Sequence, residues 1–265
     1  MPKKSKNDSR FELLFLGTAS GLPVANKFSS AIYLSANGKS FLLDCGEGVS
    51  NSLLKHKLPY QEIEAIFITH THPDHCAGLP LLLQLMHVNK REKPLTIFLP
   101  EEALDPFARY LWACYLFPEF TTFPYKLRKL DEDTNYSSGN LFIDAHPNFH
   151  LENYRRLVSE NSYPNLMLCF SLVIQAGEKK IVYSSDLGAI ADLENIAHDA
   201  DLLIVEGLHL KAEELFAKIG EWKVKQTILT HFLPGLEKKE KGLIAQARKY
   251  GVKNFKLAKD GMRLK

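Results

Sequence analysis

Residues Thr69-His70-Thr71-His72-Pro73-Asp74-His75 constrain this chain more than any other segment. Four potential metal ligands, His70, His72, Asp74 and His75, fall within six consecutive positions. They follow the apolar, β-branched run AIFITH (65–70), which reads as a buried strand. On a strand, residues i and i+2 face the same side, so His70 and His72 can converge on one ion. Pro73 stops the ladder and turns the chain. Asp74 and His75 are then expected in a tight turn before the next helix, facing a second ion. The alternative is a set of unrelated polar turn residues in a chain with ten histidines. Position favours the metal reading, because α/β folds place ligands at the C-terminal ends of strands. Imidazole with carboxylate suits zinc, and is compatible with manganese or iron.

The rest of the chain reads as a β-rich opening followed by mixed α/β structure, with the whole pattern repeated. FELLFLG (11–17) is a first strand. Two β-rich runs flank Asn37-Gly38, a strong hairpin signal. Helical and strand patterns alternate from NSLLKHKL through LTIFLP (95–100) to EEALDPFARYLWACYLF, where Pro106 is tolerable only in the first turn. The pattern restarts with NLFIDAHPN, LMLCFSLVIQAG and KIVYSSD. It continues through LLIVEG, KAEELFAKIGEW and QTILTHF to a helix and a closing strand near FKLAKDGMRL. An α/β arrangement of two sheets packed face to face, with helices outside, accommodates this order. No linker separates independent domains, so residues 11–265 are expected to form one domain behind a disordered basic tail at 1–10.

Composition excludes several classes. A net charge of +2 over 265 residues lacks the basic excess of a general nucleic-acid binder. Cys45, Cys76, Cys114 and Cys169 form no CxxC pair, which points to reduced, small buried side chains. No run has the length of a membrane span, and the apolar stretch after the basic start is too short and too interrupted for a signal peptide. A cytoplasmic protein without membrane contact is expected. The aromatic stretch 103–123 reads as ordinary core, a lid over the site or a subunit contact, with core the default.

HTHPDH resembles the HxHxDH signature of the metallo-β-lactamase fold. FLGTASGLP (15–23), LLDCGEG (42–48), DHCAGLPLLL (74–83) and KPLTIFLPEE (93–102) are similar to motifs of its RNase Z branch, in the same order. The resemblance implies a four-layer αββα sandwich and two divalent ions, zinc above all. It assigns His70, His72 and His150 to one ion and Asp74, His75 and His231 to the other, with Asp186 bridging both. It favours His150 over the neighbouring His146. Asp74 also enters as a catalytic carboxylate, and Asp44 as the support of the metal loop. His56, His87 and His198 fall in predicted helices and carry no assigned role.

Two cations sharing a water supply hydroxide at neutral pH and clamp the oxygens of an in-line phosphoryl displacement. The leaving alkoxide needs a proton, for which His209 and Glu206, just after LLIVEG, are the candidates. Their alternative is a loop residue and a strand-end carboxylate. RNase Z carries a glycine- and proline-rich tRNA-binding arm between its equivalents of His150 and Asp186. Here only LENYRRLVSENSYPN stands in that interval, and no His-Ser-Thr element precedes His231. The expectation is therefore a metal-dependent phosphodiesterase or nuclease acting on a small molecule or on RNA, with a homodimer compatible with the family. The rivals are tRNA 3′-processing, hydrolysis of a carboxylic ester, thioester or lactone, and a non-enzymatic scaffold. A flavodiiron-type protein would have glutamate at His72.

Overall fold

A computed structural model describes residues 11–36 and 38–265. Asn37 and the tail predicted at 1–10 lie outside the described residues.

Two seven-stranded sheets form the centre of the molecule. The first contains β1 (Phe11–Gly17), β2 (Ala31–Ala36), β3 (Lys39–Leu43), β4 (Ile63–Phe67), β5 (Leu95–Pro100) and β6 (Tyr125–Leu130). The second contains β7 (Asn135–Ser138), β8 (Leu141–Asn148), β9 (Cys169–Ala176), β10 (Lys179–Tyr183), β11 (Leu202–Glu206), β12 (Thr227–Thr230) and β13 (Phe255–Leu257). The short β14 (Arg263–Leu264) returns to the first sheet beside β1.

Both sheets have the same logic. β1 to β3 run antiparallel, and β3 to β6 are parallel. β7 to β10 run antiparallel, and β10 to β13 are parallel. This is the repetition visible in the sequence. The predicted closing strand is split between the two sheets.

The sheets pack through alternate residues of each strand. Leu13, Phe15, Leu34, Phe41 and Phe67 of the first face Ile143, Leu172, Ile174, Ile204 and Ile228 of the second, all fully or almost fully buried. The outer face of the first sheet is covered by α1 (Val49–Lys55), α3 (Leu79–Val88) and α4 (Leu104–Ala113); α2 (Pro73–Cys76) is a single turn. α6 (Ala212–Glu221) and α7 (Glu240–Lys249) cover the second, while α5 (Arg155–Glu160) stands apart from the apolar clusters. Parallel strands covered on both faces carry near-continuous apolar runs, as the buried LLIV (202–205) of β11 does. The result is the αββα layering that the sequence predicted.

Three local expectations are corrected. The aromatic stretch is not mainly core. Leu111, Leu116 and Phe123 are buried, but Tyr115 is 79% and Phe120 77% exposed, and Tyr110 and Trp112 are exposed as well. His198, expected in a helix, lies instead on a turn, and the segment before it holds one 3-10 turn (Ile190–Leu193). His56 caps the C-terminus of α1 rather than lying within it. Among the described residues no helix is long and apolar enough to cross a membrane.

Candidate metal centre

The functional side chains gather at one end of the sandwich, where chain segments leave the sheets. β4 stops at Phe67, so His70 and His72 stand on the loop between β4 and α2. Their convergence therefore owes nothing to strand periodicity. The loop bends so that His70 Nε2 lies 3.1 Å from His72 Nδ1. Pro73 opens α2 at a position where its missing N–H costs nothing. That turn carries Asp74 and His75 toward the same space. His150 follows β8, Asp186 follows β10 and His231 follows β12.

All seven sequence-predicted ligands come together in two groups. His70, His72, His150 and Asp186 form one, and Asp74, His75 and His231 the other; within each group the donor atoms lie within 4.8 Å of one another. Asp186 spans both. Its Oδ2 is 3.6 Å from His150 Nε2, and its Oδ1 is 3.4 Å from His75 Nε2 and 3.2 Å from His231 Nδ1. His146 sits within β8, paired with Ser171 of β9, and belongs to neither group.

The donor set fits divalent cations. His150 Nε2 approaches His72 Nδ1 to 3.2 Å, and His75 Nε2 approaches His231 Nε2 to 3.4 Å. Ring nitrogens pointed at each other share no obvious proton, yet they suit lone pairs aimed at a common cation. Asp186 Oδ1 and His231 Nδ1 are buried without a properly aligned hydrogen-bond partner, despite their 3.2 Å separation. Buried polar atoms ordinarily have partners, so these two also favour a bound cation.

Behind the ligands lies a buried carboxylate. Asp44, fully buried after β3, accepts hydrogen bonds from Thr69 N (2.8 Å), Thr69 Oγ1 (2.9 Å) and Tyr183 Oη (2.6 Å). Its Oδ2 lies 2.8 Å from His75 Nδ1, so it accepts that ring N–H and leaves Nε2 free to ligate. Thr69 Oγ1 is 2.6 Å from Ser185 Oγ and 3.2 Å from His70 Nδ1, extending the network to the first group. Asp44, Ser185 and His231 have φ of 58°, 54° and 50°. Left-handed backbone at non-glycine residues costs about 1–3 kcal/mol each and persists only where surroundings enforce it. Here it reverses the chain at each strand end and turns side chains into the centre.

The charges are strongly coupled. Burial opposes the His75 cation, but Asp186 and Asp44 outweigh it and hold its pKa well above the usual histidine value. Burial likewise opposes the Asp186 carboxylate, which His75, His231 and His70 nevertheless keep well below the usual range. His70 is held well below its usual value by burial and by His75. Burial pushes His150 down to about 4, which leaves its ring neutral and able to ligate.

Both candidates for proton transfer reach this end of the molecule. Glu206 ends β11 fully buried, with Oε2 accepting the His209 backbone N–H at 2.9 Å and that of Leu208 as well. Its Oε1 lies 3.3 Å from His209 Nδ1. The Glu206 carboxylate raises the His209 pKa above the ordinary value. The His209 ring stands 4.9 Å from that of His150 and 6.4 Å from that of His231, centroid to centroid.

Sequence reading missed one wall. The short segment 151–165 forms a 3-10 turn (Glu152–Tyr154), α5 and a loop, which bound a cavity of about 400 Å³ beside His72. Tyr154 approaches His72 edge-on, with ring centroids 5.9 Å apart. Tyrosines and leucines spaced through a polar segment (Leu151, Tyr154, Leu157, Tyr163) are its sequence signal.

Comparison with known proteins agrees with this geometry. The chain is 26% identical to ribonuclease Z of Archaeoglobus fulgidus over 302 aligned residues, covering 96% of this chain and 97% of that one. It is 35% identical to ribonuclease Z of Methanocaldococcus jannaschii over 58% of this chain and 49% of that one. The metallo-β-lactamase-fold protein YhfI from Bacillus subtilis superposes with a TM-score of 0.77 at 21% identity, covering 97% of this chain and 99% of YhfI. The short form of human tRNase Z superposes at 0.72 and 23% identity, covering 96% and 98%. These two likenesses establish the fold, and the sequence matches show a similarity to ribonuclease Z. Fold and site together define a metal-dependent hydrolase of the metallo-β-lactamase fold, similar to ribonuclease Z. More narrowly, residues 11–251 match the family model described as anti-Pycsar protein Apyc1, and the chain belongs to that family.

Proposed function

We propose that this chain hydrolyses a nucleotide-sized phosphodiester at a dinuclear centre held by His70, His72, His150, Asp74, His75, His231 and Asp186. The observation that carries this reading is the position of Asp186, whose two oxygens face separate groups of ligands. Two divalent ions there, zinc in this reading, with manganese or iron compatible with the same donors, would activate a water and bind phosphoryl oxygens. The chain's own residues do the rest. Asp44 fixes the His75 ring by accepting its Nδ1–H, and Asp74 Oδ2 stands 3.0 Å from His231 Nε2, which places carboxylate and ring nitrogen together on one side of the centre. His209, whose protonated form is favoured by its pairing with Glu206, would donate a proton from the side of His150 to the departing alkoxide.

A small substrate is favoured over tRNA because the interval where the tRNA-binding arm would stand is a compact wall against the centre. Processing of tRNA 3′ ends is the second reading, supported by the near full-length match to ribonuclease Z. Four free cysteines, three of them buried, suit the cytoplasm. A homodimer has in its favour the exposed rings of Tyr110, Trp112, Tyr115 and Phe120, which no part of the described chain covers.

One set of assays tests the reaction and the role of His209 together. Metal-replete protein is incubated with bis(p-nitrophenyl) phosphate, an alkyl phosphodiester and a precursor tRNA bearing a 3′ trailer. We expect turnover of the small diesters and little cleavage of the tRNA. His209→Ala is expected to slow the alkyl ester by about 10²–10⁴-fold, the usual range for a general acid. It should affect the p-nitrophenyl ester far less, because that leaving group departs without a proton. Efficient tRNA cleavage would favour the second reading, and equal losses on both diesters would remove His209 from proton transfer.

A further inference from the structure

His150 is anchored differently from the other ligands that follow strands of the second sheet. Asp186 is followed by Leu187 and His231 by Phe232, and both of these side chains are buried in the apolar cluster shared with α6 and α7. Neither neighbour of His150 belongs to an apolar cluster, and the Phe149 ring is 66% exposed. Packing therefore does little to fix this ligand. Its place depends on polar contacts.

The inner contact is made by Asn148, the buried last residue of β8. Its Oδ1 accepts the His150 backbone N–H at 3.1 Å, and its Nδ2 donates to Ser171 Oγ at 3.2 Å. Ser171 Oγ in turn donates to the Ser184 carbonyl at 2.7 Å. The outer contact is made by Asp192, on the 3-10 turn that follows the Asp186 loop. One oxygen, Oδ2, accepts the backbone N–H groups of Gly188 (2.9 Å), Ala189 (3.1 Å) and Phe149 (3.3 Å). An ionised acceptor makes such bonds roughly twice as strong as a neutral one. Gly188 also lies directly against the Phe149 backbone, where a Cβ would stand 2.5 Å from the Phe149 carbonyl. Its φ is not left-handed, so close approach alone calls for glycine there. Both tethers end on the segment that carries Asp186, at Ser184 on one side of it and at Gly188 and Ala189 on the other. They thus span the pair whose His150 Nε2 and Asp186 Oδ2 stand 3.6 Å apart. Asp44 instead supports the HTHPDH segment, through Thr69 and His75.

Resting on the two-ion reading of the centre, we propose that Asn148 and Asp192 are positioning residues that hold His150 against Asp186, and that they set the affinity of the ion in the His70, His72 and His150 group alone. The test titrates metal-free protein with zinc against a chromophoric chelator, which reads each binding step without any turnover. Wild-type protein takes up two ions. Asp192→Ala weakens one of them about 10- to 100-fold, the usual cost of losing a partner behind a metal ligand, and leaves the other unchanged. Asp192→Asn keeps an acceptor oxygen without the charge and falls between the two. Gly188→Ala, which must open the contact with Phe149 while Asp192 stays intact, reproduces the selective loss. His150→Ala identifies the ion concerned: in that background Asp192→Ala adds little further weakening, because the two changes act through one ligand. Hydrolysis of bis(p-nitrophenyl) phosphate by Asp192→Ala falls at limiting zinc and recovers in excess zinc. Two ions held as tightly in Asp192→Ala as in the wild type, both weakened alike, or a full further loss in the His150→Ala background each overturns the positioning role and leaves the two-ion reading standing. Wild-type protein that fails to take up two ions overturns both.

Discussion

Replacing Asp186 with asparagine is expected to lower kcat/KM by about a thousandfold or more. Several kcal/mol of transition-state charge stabilisation from the ions, at about 1.4 kcal/mol per decade, set that scale. Among the described residues, Asp186 is the side chain whose oxygens separately approach both ligand groups, at 3.6 Å from His150 and 3.2 Å from His231. An amide of the same shape retains one weak oxygen donor and loses the negative charge that would hold two cations close together. Bound metal should fall toward one equivalent per chain, while far-UV circular dichroism stays that of the wild type. Retention of two ions with less than tenfold loss of activity would show that Asp186 does not bridge.

The second large effect concerns a residue that faces no ligand space. Asp44 accepts from Thr69 N, Thr69 Oγ1, Tyr183 Oη and the His75 ring N–H, all buried. Alanine would leave Thr69 N, Tyr183 Oη and the His75 ring N–H unpaired, while Thr69 Oγ1 keeps Ser185 Oγ, at about 1–3 kcal/mol for each unpaired group that water cannot reach. It would also place a poor left-handed residue where φ is 58°. Partial relaxation brings the total to roughly 3 kcal/mol, a large share of the 5–15 kcal/mol typical of whole proteins. For a chain of this size that corresponds to a Tm lower by roughly 6–12 °C. Asparagine tolerates the left-handed backbone and so separates the two contributions. Asp44→Asn should lower metal affinity about 10- to 100-fold, as loss of a carboxylate behind a histidine ligand does, with a smaller fall in Tm. Unchanged affinity in a competition titration with a chelator would mean that His75 needs no support from Asp44.

Much of this was legible from residues because the chemistry sits where strands end. The HTHPDH segment, YSSD and LTH each follow an apolar run, and the buried runs are β4, β10 and β12. The reason first given for the convergence of His70 and His72 was nevertheless wrong. Strand periodicity cannot act beyond Phe67, and a loop pinned by Asp44 does that work instead. The left-handed conformations of Asp44, Ser185 and His231 left no mark in the sequence, because none of them is glycine. Tertiary contacts enforce these turns, and propensity does not report tertiary contacts.

The substrate side was the least legible. Residues 151–165 looked like a remnant where an arm was missing, since six residues of helix and a few exposed apolar side chains carry no period long enough to read. Glu102 stands before a helix, where an acidic residue would complement the helix dipole. Its actual partners are two amides more than sixty residues away. The aromatic rings of 103–123 were assigned to the core on burial statistics, but α4 turns only one side toward the sheet. Composition predicts how often such side chains are buried. It cannot say which face of a short helix the rest of the fold leaves uncovered.

The central claim, a centre for two ions shared through Asp186, is tested most directly by counting metal. Protein prepared in metal-replete medium, dialysed against metal-free buffer and analysed by inductively coupled plasma mass spectrometry should contain about two divalent ions per chain. Zinc is expected to predominate. Well under one equivalent per chain, in protein whose circular dichroism shows it folded, would contradict the account.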